Sequence, residues 1–425
     1  MSPEENNDNP GQPSAMRPSV LVLTSTLPRF TDDPEPGFVL HLSKELTKYF
    51  DVTVLAPMGE GAELEEKLGD LRICRYRYAP FRAWETLAYP GGIMPRLRNE
   101  PWRWVQVPML MLGLWFAIRR LQKKTPFDLL HAHWLIPQGL VALLARRRGS
   151  RSTLVCTSHG GDIHSLMDSP AKPLLSWVLG QADCLTTVSP LLLEEAETLV
   201  RGGLRHGATI PMGVDVQAFG NWAGTTGSTA PNTDVPRLLF VGRLAEKKGL
   251  RFLLDALAQP VLAGKKLVLS IAGDGPLRPE LEAQTRALGL EYRVEFLGAV
   301  PYREVSELMS HSDIFVAPSV IASDGDCDGL PTVILESVAK GLAVITTPVG
   351  GIQQIIQDGI TGRLVSPEDP VDLARAIEEL LSSQELRSRL AAAALEKIAL
   401  FDWQVIAARY ADLFQQLLSK KPVVS

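Results

Sequence analysis

An acidic cluster stands directly before an apolar segment in the second half of the chain. The stretch SDGDCDGLPTVILES, residues 323–337, places Asp324, Asp326 and Asp328 within five residues. Two overlapping Asp-x-Asp pairs are suited to a divalent cation. The next residues, with Pro331 near their start, are typical of the beginning of a helix, and a helix N-terminus attracts anions. The stretch alone leaves open a metal site and a loop that contacts a sugar or phosphate.

Cationic residues follow a different apolar run. The segment RLLFV predicts a strand, and the next residues, GRLAEKKG, place Arg243, Lys247 and Lys248 in one loop. Ligands of open α/β sheets bind beyond the carboxyl ends of the strands. Cations at one strand end and the helix start after Pro331 at another predict a diphosphate site. The alternative is that Arg243 and Lys248 form ordinary surface salt bridges.

The arrangement of apolar runs predicts two consecutive doubly wound α/β domains. Short apolar strands separated by amphipathic helices, one of them predicted from about Pro137 to Arg148, indicate parallel sheets covered on both faces. We divide the 425 residues into a disordered tail (1–17), a first Rossmann-like domain (18–213), a linker (214–236) and a second Rossmann-like domain (237–399). Residues 400–425 are expected to form a C-terminal helix that packs back on the first domain.

Composition and motifs exclude several classes of protein. Residues 18–213 hold 22 Lys and Arg against 19 Asp and Glu, and residues 214–425 hold 20 against 26, which argues against general nucleic-acid binding. No G-x-G-x-x-G opens a helix after the first strand of either half, and LAGKKL lacks the features of a P-loop. The scattered cysteines have no zinc spacing and favour a reduced, cytosolic setting; they are Cys74, Cys156, Cys184 and Cys327.

Polar residues also follow strands of the first half. His159 and Asp162 stand in SHGGDIH after an apolar strand, and His133, which ends another strand, is expected to line the acceptor cleft. Gly37, in EPGFV, would let a loop approach a phosphate or sugar closely. The alternatives are a structural hydrogen-bonding role for His159, core packing for His133 and a simple helix-start glycine at Gly37.

Nine short motifs in order along the chain carry a family resemblance. From about Val20 to Leu418, the sequence resembles family-four retaining glycosyltransferases of the GT-B architecture, of the bacterial exopolysaccharide and glycan-assembly type. This resemblance implies two Rossmann-like domains facing a central cleft. The motifs are PRFTDDPEPGFVLHLSKEL, HAHWLIPQGL, TSHGGDIH, TVSP, PMGVD, VGRLAEKKG, IAGDGP, DGLPTVILES and GGIQQIIQDGITGRLV.

The resemblance implies a donor site in the second half. Asp328 and Glu336 match the spacing of two acidic residues of the family, so Glu336 should bind the ribose hydroxyls and Asp328 the transferred sugar. Arg243 and Lys248 match the family's pair on the diphosphate. Backbone N–H groups near Leu330, Pro331, Thr332 and Val333 would complete the phosphate site.

The resemblance also implies features of the chemistry. His159 should lie near the transferred sugar and Asp162 should help to orient the site. Enzymes of this architecture generally need no metal, so no cofactor or metal is expected. The sequence departs from the family in having Asp rather than Glu at 328, and Gln353 and Gln354 after GGI where Pro-Glu is usual.

Residues 96–124 combine tryptophans, aliphatic residues and flanking Arg and Lys, and Arg146–Arg151 adds positive charge. Such a stretch can dock on anionic lipid, and the alternative is a core helix with basic ends. Together with the cysteine pattern, this predicts a cytoplasmic enzyme and leaves open whether it contacts the membrane surface.

The expected reaction moves a sugar from a UDP- or GDP-linked donor to a glycan or lipid-linked acceptor. Two alternatives stay open. One is a sugar-nucleotide epimerase of the same fold, and the other is a catalytically silent nucleotide-sugar-binding module.

Overall fold

The computed structural model of the protein describes residues 17–31, 33, 35–89, 91–146, 152–219 and 235–420. The expected tail lies outside the described residues except for Arg17, whose guanidinium donates to the carbonyl of Thr47. Most of the expected linker, residues 220–234, also lies outside them.

The first domain is built on a parallel sheet with helices on both faces. Its described strands are β1 (Ser19–Leu23), β2 (Asp51–Pro57), β3 (Glu65–Leu68), β4 (Leu71–Tyr76), β5 (Leu129–His133), β6 (Thr153–Ser158), β7 (Cys184–Thr187) and β8 (Gly207–Thr209). Its helices are α1 (Phe38–Leu46), α2 (Ile93–Asn99), α3 (Gln106–Lys124), α4 (Leu140–Ala145), α5 (Gly161–Met167), α6 (Lys172–Gln181) and α7 (Pro190–Thr198), and a short helix, α8 (Val216–Phe219), follows in the expected linker and contacts α12 (Thr332–Ala339) of the second domain. The strand order is β3-β4-β2-β1-β5-β6-β7-β8, and β3 alone among these runs antiparallel to its neighbour.

The second domain repeats this plan with a smaller sheet. Its described strands are β9 (Arg237–Val241), β10 (Val268–Ala272), β11 (Val294–Gly298), β12 (Ile314–Ala317), β13 (Ala343–Thr346) and β14 (Arg363–Leu364), in the all-parallel order β11-β10-β9-β12-β13-β14. Its helices are α9 (Leu250–Leu257), α10 (Arg278–Ala287), α11 (Tyr302–Ser310), α12 (Thr332–Ala339), α13 (Pro370–Ser382) and α14 (Gln384–Ile398). A final helix, α15, spans Trp403–Ser419.

Burial explains why these segments form strands. Every residue of β1, β5, β6, β7, β12 and β13 is buried. A strand covered on both faces must be apolar or hydrogen-bonded throughout, which is the pattern that the sequence shows. The two doubly wound α/β domains predicted from this pattern are confirmed.

Helix α15 returns to the first domain. The backbone of Val214 pairs with the segment that leads into α15, with Val214 N donating to Phe401 O at 2.8 Å and Trp403 N donating to Val214 O at 3.1 Å. The ring of Phe414 packs against Phe50 of the first domain, with 5.8 Å between centroids. The chain therefore crosses between the domains at two adjacent points, around residues 214 and 402.

The structure corrects one helix boundary. The sequence predicts a helix from about Pro137 to Arg148, but regular α-helix begins at Leu140. Residues Leu135–Gly139 are not part of the regular helix, because the extended backbone of Ile136 (φ −132°, ψ 126°) makes a kink there. Residues 147 and 148 lie outside the described residues.

Helix α3 has two different faces. Leu110, Leu114 and Ile118 are buried against the sheet, as a core helix requires, whereas Leu112 and Phe116 are exposed. In the described part of the chain, no helix is both long and apolar enough to cross a bilayer.

Candidate active site

A cleft of about 640 Å³ separates the two domains. The second domain contributes the turn after β9 and the start of α12, and the first domain contributes the loop before α1. Parallel sheets place these segments at the carboxyl ends of their strands, where ligands of this architecture bind. The sequence-predicted residues that line the cleft are Gly37, Lys248, Pro331, Thr332, Val333 and Glu336.

The turn after β9 is shaped by Gly249. Its φ of +64° is in the left-handed region, and a Cβ atom there would lie 1.8 Å from the carbonyl oxygen of Pro318 after β12. A residue with a side chain could not occupy this position without moving the backbone. Gly249 thus holds Lys247 and Lys248 against the loop after β12.

The two lysines bind the acidic cluster. Lys248 Nζ donates to Asp328 Oδ2 at 2.7 Å, and Lys247 Nζ lies 3.4 Å from Asp328 Oδ1 and 3.1 Å from Asp326 Oδ2. Burial would raise the pKa of Asp328, but Lys248 and Lys247 outweigh it and hold that pKa below its ordinary value. Asp328 is therefore a carboxylate at neutral pH.

Lys247 is the cation at the centre of this cluster. Burial lowers its pKa, but Asp328 and Asp326 raise it by more, so the pKa of Lys247 lies above its ordinary value. Two aspartates of the cluster thus have ammonium groups as partners.

The start of α12 faces the cleft. Pro331 precedes the first helical residue, and Thr332 and Val333 line the cleft in the first turn, where backbone N–H groups point out of the helix. Leu330 is buried and packs in the core. The segment expected to bind phosphate therefore exposes Pro331 to Val333 to the cleft and anchors Leu330 beneath it.

Glu336 lies one turn further along α12 and also lines the cleft. Its side chain accepts a hydrogen bond from the Tyr302 hydroxyl, at 3.2 Å to Oε1, and another from Thr332. Burial raises the pKa of Glu336 to about 7, although both hydrogen bonds act in the opposite direction. Glu336 can therefore change its charge near neutral pH.

Arg243 reaches across to the first domain. Its Nη1 donates to the carbonyl of Gly91 at 3.1 Å, and Gly91 N in turn donates to Glu35 Oε1 at 2.6 Å. Arg243 is not among the residues that line the cleft, whereas Lys248 is. In the structure, Arg243 therefore contacts the loop at Gly91, whereas Lys248 faces the cleft.

His133 and His159 form an aromatic cluster with Phe38 and Trp134. His133 Nδ1 and His159 Nε2 are 3.0 Å apart, and the two rings are stacked with centroids 5.3 Å apart. Phe38 lies 4.9 Å and Trp134 lies 5.1 Å from the His159 ring, between centroids. Burial lowers the pKa of His159 to about 3 and the pKa of His133 well below its ordinary value, so both rings are neutral at pH 7.

Asp162 is buried at the start of α5. Its carboxylate accepts from the Ser158 hydroxyl at 2.6 Å and from Leu135 N at 2.9 Å. Burial raises the pKa of Asp162, and these hydrogen bonds moderate the effect. Asp162 therefore joins the ends of β5 and β6, close to His133 and His159, in a fixed relation.

Gly37 immediately precedes α1 and has an ordinary negative φ of −88°. A Cβ atom at this position would lie 3.2 Å from the ring of His41, which also lines the cleft. The restriction at Gly37 is therefore one of space rather than of backbone conformation.

Known proteins resemble the chain along most of its length. The model of Glycosyltransferase Family 4 matches residues 38–218, and that of Glycosyl transferases group 1 matches residues 226–397. WcaL of Escherichia coli (strain K12), described as a putative colanic acid biosynthesis glycosyltransferase, is 31% identical over 304 residues, which are 70% of this chain and 73% of WcaL. The chain belongs to glycosyltransferase family 4. It is a glycosyltransferase, as the sequence predicts.

Solved structures of the same fold cover nearly all of this glycosyltransferase. Sucrose-phosphate synthase of Thermosynechococcus elongatus superposes with a TM-score of 0.76 at 22% identity, covering 95% of this chain and 100% of that one. HepE of Anabaena, solved in complex with UDP and glucose, gives a TM-score of 0.67 at 19% identity and covers 93% and 99% of the two chains. The architecture of the glycosyltransferase is the GT-B fold, which confirms the predicted fold class.

Sequence reasoning missed Tyr302 and assigned no role of its own to Lys247. Tyr302 begins α11, after β11, and contacts Glu336, which lies 34 residues away. No local pattern marks it, although its place after a strand of the second sheet is the signal that could have identified it. Lys247 could have been included because it stands beside Lys248 in the same turn.

Proposed function

We propose that this glycosyltransferase moves a sugar from a UDP- or GDP-linked donor to a glycan or lipid-linked acceptor, with retention at the anomeric carbon and without a metal ion. One observation carries the proposal. Lys248, which is paired with Asp328, lines one cleft between the domains together with the start of α12 and Glu336. A cation and a helix N-terminus match the diphosphate of such a donor, and the carboxylate of Glu336 matches its ribose.

Each group has a distinct role in donor binding. The diphosphate accepts hydrogen bonds from Lys248 and from backbone N–H groups at Thr332 and Val333. Glu336, as a carboxylate, accepts from two ribose hydroxyls, since its two oxygens have room for both. Asp328 accepts from hydroxyls of the transferred sugar.

The reaction requires charge to be stabilised on the leaving diphosphate. The bond between the anomeric carbon and the diphosphate oxygen breaks, and the acceptor oxygen forms a new bond to that carbon on the same face. The acceptor proton passes to the leaving phosphate oxygen. Lys248 and the start of α12 stabilise the negative charge that develops there.

The acceptor enters from the first domain. His159 is neutral and sits against Phe38 and Trp134, so it can donate or accept one hydrogen bond to the sugar without carrying charge. Asp162 orients this region through its hydrogen bonds to Ser158 and Leu135 rather than by touching the substrates.

Ion pairing of the acidic cluster supports metal independence. Asp326 and Asp328 contact Lys247 and Lys248, so cations of the protein already occupy the side of the carboxylates that would bind a metal. Among the residues that the structure describes, no group of three or more His, Cys, Asp or Glu side chains is placed to hold an ion.

The relatives guide the choice of substrates. HepE of Anabaena was solved with UDP and glucose, so UDP-sugars are the first donors to test. The description of WcaL refers to colanic acid biosynthesis and favours an acceptor from polysaccharide assembly.

Exposed apolar residues support contact with an anionic membrane. Val105, Leu112 and Phe116 lie on one side of α3 and its lead-in turn and are 64%, 57% and 63% exposed, and Trp104 next to them is 56% exposed. Residues 101–127 contain five Arg and Lys and no Asp or Glu. An apolar stripe with this charge fits the surface of an anionic bilayer. Of the Arg146–Arg151 segment, residues 147–151 lie outside the described residues.

A cytoplasmic site of action is part of the same proposal. All four cysteines are buried free thiols, as a reducing compartment favours. The acceptor would then be presented on the inner face of the membrane.

Product analysis tests the proposed function. The purified protein is incubated with UDP- and GDP-sugars, with and without saccharide or lipid-linked acceptors, and the anomeric configuration of the product is determined by NMR. We expect acceptor-dependent release of nucleoside diphosphate and a product of the donor's configuration. Release of free nucleotide or an epimer without any acceptor would contradict the proposal, and an inverted product would contradict the retaining mechanism.

A further inference from the structure

We infer that Glu195, His164 and Cys327 form a hydrogen-bonded clamp through which the first domain positions the loop that carries Asp328. Glu195 lies on α7 and His164 on α5, both in the first domain, whereas Cys327 directly precedes Asp328 in the second. The clamp is a positioning device and does not touch substrate. Its role in the reaction rests on the proposed function, because it acts through Asp328.

The three side chains form a continuous chain across the domain boundary. His164 Nε2 lies 2.7 Å from Glu195 Oε2, and Cys327 Sγ lies 3.2 Å from His164 Nδ1. Both contacts are satisfied when Nε2–H donates to the carboxylate and Nδ1 accepts from the thiol. The side chains of His164 and Glu195 are only 14% and 29% exposed, so water competes little for these bonds.

The order carboxylate, imidazole and thiol is also that of a nucleophilic triad, and the surroundings of Cys327 exclude that role. Cys327 is buried, with 6% of its surface exposed, and is not among the residues that line the cleft. Burial raises the pKa of its thiol to about 11. A protonated thiol is a hydrogen-bond donor and a poor nucleophile, so Cys327 holds the loop rather than reacting.

The loop is anchored in both domains, and within its own domain Lys247 and Lys248 also bind Asp326 and Asp328. At its start, Ser323 donates from its backbone N and its hydroxyl to Glu246, each at 2.9 Å. At its end, Gly329 packs so closely on the first domain that a Cβ atom there would lie 2.6 Å from His159 O. The clamp at Cys327 lies between these anchors and fixes the residue adjacent to Asp328.

This geometry makes the position of Asp328 depend on how close the two domains lie to each other. His164 and Asp162 lie on the same helix, α5, which follows the turn that contains His159. The clamp is therefore joined to the part of the first domain that we assign to the acceptor. Movement of the domains apart would break the Cys327–His164 bond and leave the loop held only by Glu246, Lys247 and Lys248 of its own domain. A displacement of about 1 Å at a reacting group can lower a rate by about 100-fold, so the clamp makes donor chemistry depend on domain closure.

Kinetics of paired variants test the clamp. Cys327→Ala and His164→Ala each remove the shared hydrogen bond, and we expect kcat with a sugar donor to fall about 10-fold in each, the effect of one hydrogen bond. The double variant should be no slower than the worse single variant, because both changes break the same link. Cys327→Ser should restore most of the rate, since a hydroxyl still donates. His206→Ala, at an exposed histidine of the first domain, is the matched control.

Hydrogen exchange supplies a readout that needs no turnover. We expect faster amide exchange in residues 322–329 in Glu195→Ala and His164→Ala, and unchanged exchange there in the control. Equal exchange in wild type and variants, or multiplicative loss of kcat in the double variant, would overturn the clamp. Faster exchange with unchanged kcat would overturn its role in positioning Asp328. If the wild type used no nucleotide sugar, the proposed function would fail, and exchange would still decide whether the clamp exists.

Discussion

Lys248 Nζ and Asp328 Oδ2 are 2.7 Å apart, and their side chains are only 17% and 13% exposed. Lys248 and Asp328 thus form an ion pair at a site that little water reaches. A diphosphate entering the cleft would compete with Asp328 for Lys248, while Lys247, 3.4 Å from Asp328 Oδ1, would keep that carboxylate compensated. Lys247 therefore lets Lys248 move from Asp328 to the diphosphate while the carboxylate of Asp328 keeps a cationic partner. A buried carboxylate without such a partner would destabilise the protein.

Lys248→Ala should weaken binding of a nucleoside diphosphate. The loss of one charge-assisted hydrogen bond corresponds to about 10- to 100-fold in the dissociation constant. Calorimetric titration with UDP and GDP measures it. Lys265→Ala removes an exposed lysine paired with Glu378 and serves as the control. Equal affinity of Lys248→Ala and wild type would show that the turn after β9 does not bind the phosphates.

Asp328→Asn should impair sugar transfer more than nucleotide binding. The amide is neutral and accepts more weakly from sugar hydroxyls, so we expect kcat/KM for the sugar donor to fall about 10- to 100-fold. Affinity for UDP alone should change less than about threefold, because Lys248 remains. Asp328→Glu restores the longer side chain of the family and should alter the preference among donor sugars. A parallel loss of UDP affinity in Asp328→Asn would show that Asp328 acts only by holding Lys248.

Glu336 should make donor binding depend on pH. Its pKa in the folded protein is about 7, and ribose hydroxyls require the ionised carboxylate as acceptor. Donor affinity should therefore rise up to about 10-fold between about pH 6 and pH 8. Glu336→Gln should bind more weakly at pH 8 and should lose this dependence. The same pH profile in wild type and Glu336→Gln would contradict the assignment.

Glu336 should also make the stability of the protein depend on pH. Stability should fall as pH rises, whereas donor affinity rises. Its pKa rises from an ordinary value of 4.5 on folding because burial disfavours the charge. The resulting stabilisation is fully present below about pH 4.5 and is lost as pH rises through about 7. Melting temperatures of wild type and Glu336→Gln at several pH values check this, and the wild type should lose stability relative to the variant as pH rises.

The apolar stripe on α3 should bind anionic vesicles. Replacing Leu112 and Phe116 by Ser removes exposed apolar surface without touching the buried face of α3, so the melting temperature should be retained. Sedimentation with phosphatidylglycerol-containing vesicles should decrease at least about fivefold, and neutral vesicles should bind the wild type weakly. The matched control is Leu191→Ser, at an exposed leucine on α7. Undiminished sedimentation of the double variant would contradict membrane contact through this stripe.

Local patterns predict the elements that carry the site. The strand RLLFV and the helix TVILES are continuous apolar or amphipathic segments, and a parallel sheet places the loops at the carboxyl ends of its strands along one edge. Strands β8 and β14 have three and two residues, too few for any periodicity to appear. Short strands of this kind therefore escape prediction from sequence.

Contacts between the domains could not be predicted. Arg243 and Gly91 are 152 residues apart and Cys327 and His164 are 163 apart, and nothing in the local sequence indicates that they meet. The sequence predicts that Arg243 and Lys248 bind the diphosphate, and it gives no sign of the hydrogen bond between Arg243 and Gly91. Such pairings depend on how two folded domains pack, which spacing along one chain does not encode.

Thermal denaturation with nucleotides tests the proposed donor site most directly. The protein is melted with UDP, GDP, ADP and their common sugar conjugates, each with and without EDTA, because a ligand of the folded state raises the melting temperature. We expect a clear shift with UDP or GDP and its conjugate, unchanged by EDTA and smaller in Lys248→Ala at the same nucleotide concentration. No shift with any nucleotide would contradict the donor site at Lys248, Glu336 and α12, and a shift abolished by EDTA would contradict metal-independent binding.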